Sequence, residues 1–366
     1  MPRKKIGLLT GGSDCPGLNA AVRAATKAAL RRGWEVTGFI DGYSGLVEDN
    51  SVTLTDAAVS GIACRGGTIL GTTNEANPFS YSVPPFGTAD TPQDVSDKVV
   101  ATYKKHNLDA LVVIGGNGTL SIADRLAEKG LFITAAPKTI DNDLTGTDVT
   151  VGFDSALSLA TDAVDRLHST AEAHHRVMIV ETMGRYAGWI ALRAGVAGGG
   201  DIILIPEIPY NADEISAAIA ARMQCGKHFS IVVVAEGAAP EGAEGTAARK
   251  VKSYYDSIKF GGAGYRIGKI IEDRCGMRTR VVVLGHLQRG GTPTAFDRWL
   301  ATRFGEQAVE LIEQGKRGHM ACLVGMSISS APLADAVKHL RLVDPQGPEV
   351  RSALRLGTSF ASRTIK

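Results

Sequence analysis

The stretch DALVVIGGNGTLSIADRL (residues 109–126) passes from an apolar, β-branched run through three glycines into a segment with helical spacing. A strand that leads through a glycine turn into a helix is the start of a βα unit. Gly115, Gly116 and Gly118 let the backbone approach a ligand, and the N–H groups at the start of a helix favour an anion. The stretch therefore predicts a strand, an anion-binding turn and a helix, with a purely structural turn as the alternative.

Short apolar runs of the same kind recur along the chain, and Ala- and Leu-rich segments with helical spacing separate most of them. This alternation predicts βαβ units, and hence parallel sheets with helices on both faces. The runs predicted as strands are KKIGLLT, EVTGFI, DALVVIGG, LFITAAP, HRVMIVET, DIILIPE, FSIVVVAEG, RTRVVVLGH and ACLVGM.

Polar motifs follow six of these runs directly, and in open parallel sheets a ligand binds beyond the carboxyl ends of the strands. Six such placements predict one shared cleft. The motifs are TGGSDCPG, GGNGT, KTIDND, ETMGR, AEG and GHLQRGG.

Bulk composition is that of an ordinary globular protein, with 44% hydrophobic and 21% charged residues among 366. That length favours two lobes over one. A net charge of +2 and short basic runs argue against a nucleic-acid partner. The sequence shows no signal peptide and nothing near the ~18 apolar residues of a membrane span. Five scattered cysteines without a CxxC pair indicate a reducing, cytoplasmic compartment.

The motif LLTGGSDCPGLNAAVR (residues 8–23) repeats the strand, glycine turn and helix. We predict that the N–H groups of Gly11 and Gly12 approach an anion, and that a helix beginning near Pro16 points its positive end at it. A structural tight turn is an equally good interpretation of this motif alone.

The motif KTIDND (residues 138–143) places two carboxylates two residues apart, so in an extended segment they share a side. A phosphoryl acceptor must lose its hydroxyl proton to a base, and the donor's phosphates need a cation. Asp141 and Asp143 can serve one of these needs each. Capping of the following turn is the alternative.

Basic side chains flank the later strands: Arg176, Arg185, Arg280, His286 and Arg289. Arginine forks match phosphate oxygens, and a histidine adds a donor. Each residue alone could form a surface salt bridge. Together they predict a phosphate-ester site at one edge of a sheet.

Taken together, these motifs resemble the 6-phosphofructokinases over almost the whole chain. The resemblance is closest to the actinobacterial type, which mixes ATP-dependent and pyrophosphate-dependent members. The stretches that carry it are GGSDCPGLNA, RGGTILG, GGNGTL, PKTIDNDLTGTDVTVGFDSA, MGRYAGWIAL, IPE, VVAEGA and VLGHLQRGGTPTAFDRWLATRFG.

The resemblance implies an α/β fold of two Rossmann-like three-layer lobes with mostly parallel sheets, the phosphofructokinase fold. Residues 1–152 plus about 288–340 are expected to form the nucleotide lobe, and residues 153–287 the sugar-phosphate lobe. Residues 341–366 are expected to form a C-terminal segment, while residues 77–94 and 237–250 are predicted as surface loops.

The resemblance also implies ATP-dependent phosphorylation of the 1-hydroxyl of fructose 6-phosphate with Mg²⁺, a glycolytic reaction. Asp141 becomes the base and a candidate metal ligand, Thr139 and Asp143 assist it, and Arg185 stabilises the phosphoryl group in transit. Residues expected to hold the sugar are Met183, Gly184, Glu236 and His286, with Arg289 on its 6-phosphate.

Arg176 and Arg280 are expected to reach that phosphate from a neighbouring subunit, which implies a dimer or tetramer. The expected donor-binding residues are Gly12, Ser13, Tyr43, Asn74, Gly116, Asn117, Gly118 and Thr119.

Two positions bear on the donor. Pyrophosphate-dependent relatives typically carry Asp at the position of Gly118 and Lys at that of Lys138, and an Asp would intrude on the α-phosphate of a nucleotide. Because Gly118 leaves that room, ATP is favoured over pyrophosphate.

Three residues depart from the family pattern along the phosphate path. Asn117 stands where the family has an acid that binds or orients magnesium. Asn74 replaces an arginine, and Ser13 replaces the last glycine of the first phosphate loop. These departures leave open a paralogue acting on another sugar phosphate, such as sedoheptulose 7-phosphate, or a low-turnover sugar-phosphate-binding protein.

Asp56 and His168 replace effector-site arginines, so regulation by ADP or phosphoenolpyruvate is not expected.

Overall fold

A computed structural model of the chain describes residues 3–82, 91–243 and 262–365, so the predicted loops 77–94 and 237–250 lie partly outside the described residues. The chain divides into two units, Met1–Asp154 with Arg289–Leu340, and Ser155–Gln288 with Arg341–Lys366. The sequence prediction sets residues 341–366 apart, whereas in the structure they belong to the second unit. Trp189 Nε1 donates to the Arg341 carbonyl at 2.8 Å within that unit.

The first unit is built on a seven-stranded sheet in the order β11-β10-β5-β4-β1-β2-β3. The five inner strands are parallel, and β3 and β11 are antiparallel edges. The central strand β4 is buried at every residue, as expected for a parallel strand with helices on both faces. The strands are β1 Lys5–Thr10, β2 Glu35–Phe39, β3 Ser51–Thr53, β4 Ala110–Gly115, β5 Ile133–Pro137, β10 His319–Val324 and β11 Ser327–Pro332.

Helices cover both faces of this sheet, and their apolar sides form its core with β4 and β5. They are α1 Leu18–Arg31, α2 Tyr43–Glu48, α3 Ser96–Lys105, α4 Asn117–Glu128, α9 Ala295–Glu313 and α10 Leu333–Lys338.

The second unit is built on a parallel four-stranded sheet in the order β7-β8-β6-β9. The inner strands β6 and β8 are buried at every residue. The strands are β6 Val177–Thr182, β7 Ile202–Leu204, β8 Ser230–Ala235 and β9 Thr279–Val283. The helices are α5 Phe153–His174, α6 Trp189–Ala197, α7 Ala212–Gln224, α8 Ala263–Cys275 and α11 Pro348–Arg355.

The predicted α/β class and all nine predicted strands are confirmed. The sequence prediction missed β3 and β11, both antiparallel edge strands. Three residues are too few for a pattern in β3, and the serine-rich sequence of β11 lacks an apolar run. Among the described helices, none is long and apolar enough to cross a membrane.

Close packing of α1 on α9 depends on Gly305, because a Cβ there would lie 2.5 Å from the Ala21 carbonyl oxygen and 3.0 Å from the Ala25 nitrogen. Backbone atoms cannot rotate away. We therefore expect Gly305→Ala to destabilise the protein by about 1 to 3 kcal/mol despite alanine's better helix propensity. Thermal unfolding checks this, with the exposed neighbour Glu306→Ala as control. An unchanged Tm for Gly305→Ala would show that the two helices separate at little cost.

Candidate active site

The amino end of α4 lies directly after β4. Gly116 occupies the N-cap in an extended conformation without a side-chain cap, and the helical ladder starts with Leu120 N–H donating to the Gly116 carbonyl at 2.9 Å. The N–H groups of Asn117, Gly118 and Thr119 therefore have no acceptor within the helix. With the helix dipole, they make this end of α4 suited to an anion, the role that the sequence predicts.

The first glycine turn has a different role from the predicted one. Gly11 N–H donates to the Ile114 carbonyl at 3.0 Å, and Gly12 N–H donates to the Thr73 carbonyl at 3.1 Å. The prediction that these two N–H groups face an anion is therefore wrong. A Cβ at Gly11 would lie 2.6 Å from Thr119 Cγ2, so this glycine allows the turn to pack against the start of α4. The helix α1 begins at Leu18, two residues after the predicted Pro16.

Lys138 is buried and holds this turn from the side of β5. Its ammonium group donates to the Gly11 carbonyl at 3.1 Å and to the Ser13 carbonyl. Burial lowers the pKa of Lys138, while the nearby Cys15 raises it. The side chain therefore links the end of β5 to the first glycine turn.

A network of hydrogen bonds fixes the KTIDND segment. Asn142, buried and at a positive φ of 52°, accepts from the Thr150 N–H at 3.0 Å. The Thr150 hydroxyl donates to the Thr139 carbonyl at 2.6 Å, and the Asp141 N–H donates to the Thr139 hydroxyl at 3.1 Å. Sequence reasoning missed Asn142 and Thr150 as positioning residues. The sequence feature that could have indicated this role is Asn142 itself, since asparagine adopts positive φ more readily than most residues.

The segment also lies next to the α4 terminus, because Lys138 N–H donates to the Gly115 carbonyl at 2.9 Å. A Cβ at Gly116 would lie 3.6 Å from Thr139 Cβ. The structure therefore brings together the predicted anion site and the start of the predicted catalytic segment within the first unit.

Asp143 is buried, and among the described residues its Oδ1 has no hydrogen-bond partner. Burial, followed by the negative charge of Asp141, raises the pKa of Asp143 to about 7, against smaller opposing effects of a backbone N–H and the Thr139 side chain. A buried carboxylate oxygen without a partner costs stability unless a proton or a cation is supplied.

This pKa predicts how stability depends on pH. Between about pH 4 and pH 7 the folded protein keeps the Asp143 proton while the unfolded chain loses it, so Asp143 lowers stability as the pH rises through this window. We expect Asp143→Asn, without nucleotide or Mg²⁺, to raise Tm by roughly 2 to 4 °C at pH 8 and by less than half as much at pH 5. The exposed Asp97→Asn serves as control. Equal shifts at both pH values would show that Asp143 is ionised throughout.

Mg²⁺ prefers hard oxygen ligands and usually keeps several waters, taking one or two carboxylates plus the phosphates of its substrate. The described residues contain no cluster of three or more His, Cys, Asp or Glu that could hold a metal alone. Asp141 and Asp143 fit the requirement for one or two carboxylates, since Asp143 Oδ1 has no partner among the residues that the structure describes. Asn117, in the first turn of α4, can offer only a neutral amide oxygen.

In the second unit, the turns after β6 and β8 pack closely at the carboxyl edge of the sheet. Glu236 N–H donates to the Thr182 carbonyl at 2.9 Å, and Gly237 N–H donates to the Gly184 carbonyl at 3.1 Å. Gly184 has a φ of 137°, and a Cβ there would lie 2.8 Å from the Ala187 carbonyl oxygen. The predicted sugar-binding residues Gly184 and Glu236 are thus neighbours.

The turn after β9 joins the same edge through Gln288, a buried residue that the sequence analysis did not single out. Its Oε1 accepts from the Met183 N–H at 3.3 Å, and its Nε2 donates to the Gly285 carbonyl at 3.1 Å. This places Met183, half-buried Arg185 and exposed His286 at the same edge.

Arg176 and Arg280 lie at the other end of this sheet. Arg176 immediately precedes β6, and Arg280, the second residue of β9, pairs with Met178 near the start of β6. The prediction that all five basic residues converge on one edge is therefore wrong, because parallel strands put their amino ends together. A six-residue strand separates the two edges by about 20 Å.

Arg289 belongs to the first unit. Its Nε is buried without a hydrogen-bond partner among the described residues, and its charge helps to lower the pKa of Lys138. An unpartnered buried guanidinium N–H is consistent with the predicted phosphate contact, since it lacks an acceptor in the protein.

The other predicted donor residues surround the first glycine turn or support it. The Tyr43 side chain is buried, and its hydroxyl donates to the Thr119 carbonyl at 2.9 Å, so it supports the start of α4 from behind. Exposed Asn74 follows Thr73, whose carbonyl binds Gly12. Ser13 is half-buried.

Asp56 and His168, which stand where the family has effector-site arginines, both contact other groups of this protein. Asp56 lies 2.5 Å from Lys27 Nζ, and His168 Nε2 donates to the Gly198 carbonyl at 2.6 Å.

A helix terminus suited to a phosphate, beside a fixed pair of carboxylates at the carboxyl edge of a parallel sheet, defines a class of protein: the α/β enzymes of phosphoryl transfer. The phosphofructokinase family model matches residues 5–312. The chain belongs to the phosphofructokinase family.

Similar proteins include both donor types. ATP-dependent 6-phosphofructokinase 2 of Clostridium perfringens is 48% identical over 98% of this chain and 99% of its own length. Pyrophosphate–fructose 6-phosphate 1-phosphotransferase of Streptomyces coelicolor is 45% identical over 93% of this chain and 96% of its own. The T-state crystal structure of Pichia pastoris phosphofructokinase matches 98% of this chain and 37% of the yeast chain, with a TM-score of 0.79 and 30% identity.

Proposed function

We propose that this protein transfers the γ-phosphoryl group of ATP to the 1-hydroxyl of fructose 6-phosphate, giving fructose 1,6-bisphosphate and ADP. The observation that carries the proposal is the fixed Asp141–Asp143 pair beside the amino end of α4, in a chain of this family. Relatives with both donor names match nearly the whole chain.

In the proposed reaction, the sugar 1-hydroxyl oxygen attacks the γ-phosphorus while the bond to the β–γ bridging oxygen breaks. The hydroxyl proton passes to the Asp141 carboxylate, and ADP leaves with the electron pair of the broken bond. The Thr139 hydroxyl orients Asp141 through the backbone N–H at 3.1 Å. The N–H groups at the start of α4 bind donor phosphate oxygens.

Mg²⁺, when bound with the nucleotide, neutralises charge on the donor's phosphates. Its proposed protein ligands are Asp141 and the Asp143 carboxylate, whose Oδ1 has no partner within the part of the chain that the structure describes. Arg185 stabilises charge on the transferring group, and the acceptor is held by Met183, Gly184, Glu236 and His286, with Arg289 on its 6-phosphate.

ATP is the favoured donor because the Lys138 ammonium is committed to the carbonyls of Gly11 and Ser13. To bind pyrophosphate, the buried Lys138 ammonium would have to break its hydrogen bonds to both of these carbonyls, which costs free energy. Gly118, in the first turn of α4, adds no side chain to the anion site.

The position of Arg176 and Arg280 supports an oligomer, at least a dimer. They lie about 20 Å along the sheet from Glu236 and His286, too far to reach a sugar phosphate held at that edge of the same sheet. A neighbouring subunit can supply them.

Initial rates with Mg²⁺ test the proposal, using ATP and pyrophosphate as donors, and fructose 6-phosphate and sedoheptulose 7-phosphate as acceptors. We expect the highest kcat/KM for ATP with fructose 6-phosphate. A higher value with pyrophosphate would overturn the donor assignment, and a higher value with sedoheptulose 7-phosphate would overturn the acceptor assignment.

A further inference from the structure

Asp297, in the first turn of α9, is a fully buried acid to which the proposed reaction assigns no role. Its Oδ1 accepts from the Gly152 N–H at 2.9 Å, a contact between residues 145 positions apart. The hydroxyl of Thr294, the N-cap of α9, accepts from the Asp297 N–H at 3.2 Å and donates to Asp154 Oδ2 at 2.6 Å. The amino end of α9 therefore holds the chain at residues 152–154 through two side chains.

Residues 150–152, which we call the support segment, pair with the start of the KTIDND segment. Val151 forms a parallel bridge with Lys138, and its carbonyl accepts from the Thr139 N–H at 3.1 Å. The Thr150 hydroxyl donates to the Thr139 carbonyl at 2.6 Å. The support segment therefore fixes Thr139 by its N–H and by its carbonyl.

Thr139 also connects the support segment to the proposed base, because its hydroxyl accepts from the Asp141 N–H at 3.1 Å. A shift of the support segment would move Thr139 and, with it, the Asp141 carboxylate. Displacement of a reacting group by about 1 Å can cost ~100-fold in rate. The place of the support segment therefore bears directly on the rate of proton removal.

The support segment needs an acceptor at its end, since the Gly152 N–H is buried and a buried N–H is almost always paired. Gly152 has a φ of 99°, and a Cβ there would lie 2.4 Å from Cys15 Sγ, so the backbone is closely enclosed. Asp297 supplies the acceptor as a carboxylate, which forms a stronger bond than a neutral oxygen does. An acid in the first turn of α9 also favours the helix dipole, so a role confined to stability is the alternative.

We propose that Asp297 is a positioning residue for the phosphoryl transfer. Through Gly152 it anchors the support segment, and the support segment sets the place of Thr139 and Asp141. This role rests on the proposed function, because it takes Asp141 to be the base.

Asp297→Ala in the full-length protein is expected to lower kcat about tenfold or more. The KM for fructose 6-phosphate should stay near that of the parent, because the proposed acceptor residues Glu236 and His286 belong to the second unit. Asp297→Asn keeps an oxygen that can accept from the Gly152 N–H, so we expect it to retain most of the parent's kcat. Steady-state kinetics below the Tm of every variant measures both constants.

Gly305→Ala is the stability control, because it lies about two turns further along α9 and is expected to lower the Tm without changing kcat. A parental kcat for Asp297→Ala, or a loss that Gly305→Ala shares, would overturn the proposal. A loss in Asp297→Asn as large as that in Asp297→Ala would also overturn it, since the contact with Gly152 would then not be what matters.

Combination with Asp141→Asn separates positioning from general stability. If Asp297 acts through Asp141, the double variant should be no slower than Asp141→Asn alone, because the group that is misplaced is no longer a base. A further loss equal to that of Asp297→Ala by itself would show that Asp297 acts independently of Asp141, and the proposal would be wrong.

Hydrogen exchange followed by mass spectrometry gives a readout that needs no activity. We expect the peptide that covers residues 138–152 to exchange faster in Asp297→Ala than in the parent, and at the parent's rate in Asp297→Asn and Gly305→Ala. Unchanged exchange in Asp297→Ala would contradict the anchoring role. If Asp297→Ala does not fold, Asp297→Ser, whose hydroxyl is too short to reach the Gly152 N–H, replaces it in all three experiments.

Failure of this proposal is distinguishable from failure of the proposed function. A parent protein that makes fructose 1,6-bisphosphate, with an Asp297→Ala variant that matches it in kcat and in exchange, overturns the role of Asp297 alone. Exchange that depends on Asp297, in a protein without fructose 6-phosphate turnover, overturns the proposed function alone.

Discussion

Asp141→Asn is expected to lower kcat about 10²- to 10⁴-fold, the usual contribution of a general base, and to leave the affinity for fructose 6-phosphate nearly unchanged. The amide keeps the size of the carboxylate but cannot take the hydroxyl proton. It also keeps the backbone N–H that binds the Thr139 hydroxyl. Steady-state kinetics gives kcat, and calorimetric titration of fructose 6-phosphate without nucleotide gives the affinity.

Asp148→Asn is the matched control, because this exposed carboxylate lies seven residues further along and accepts from the Gly325 N–H at 2.6 Å. We expect its kcat to stay near that of the parent. Near-normal turnover of Asp141→Asn would show that another group takes the proton. A parallel loss of sugar affinity would instead make Asp141 a binding residue.

Gly118→Asp is expected to lower kcat/KM for ATP about 100-fold or more, because a carboxylate in the first turn of α4 competes with donor phosphates for the same N–H groups and repels them. The same carboxylate favours the helix dipole, so the Tm should not fall. Pyrophosphate lacks an α-phosphate, so its use should fall less. Initial rates with both donors measure the difference.

Gly118→Ala separates volume from charge, and we expect it to lose much less ATP activity than Gly118→Asp. If Gly118→Asp uses ATP as well as the parent does, the nucleotide phosphates do not bind at the amino end of α4. That outcome would leave the Asp141 assignment intact.

The fold was predictable because the parallel strands are buried on both faces, and continuous apolar runs such as ALVVIG in β4 make such strands visible in the sequence. Edge strands lack this signal, which is why β3 and β11 were missed. Residues 341–366 show no pattern that predicts their packing partner. Their place in the second unit rests on long-range contacts such as Arg193 with Glu349, 2.7 Å apart.

The local geometry of the candidate site was predictable where it depends on neighbouring residues, as at the start of α4. It was not predictable where a group's partner lies far along the chain. The sequence predicts that the N–H groups of Gly11 and Gly12 face an anion. In the structure they donate to the carbonyls of Ile114 and Thr73 instead. The sequence shows that Arg176 flanks a strand, but it does not show at which edge of the sheet. The parallel register of β6 and β9 shows that Arg176 lies at the edge away from Glu236.

The IPE motif, residues 205–207, is a similar case. Its carboxylate, Glu207, accepts from the Gly188 N–H at 3.0 Å and from the Val343 N–H at 2.9 Å. A motif that carries the family resemblance thus caps the amino end of α6, and burial raises the pKa of Glu207. No short-range pattern predicts that role.

The most direct test of the central claim is ³¹P NMR of the purified protein with ATP, Mg²⁺ and fructose 6-phosphate. We predict that a new resonance from a phosphate on carbon 1 grows at the rate at which ADP forms, while the 6-phosphate is retained. Formation of ADP with inorganic phosphate and no new sugar phosphate, or no consumption of ATP at all, would contradict the account.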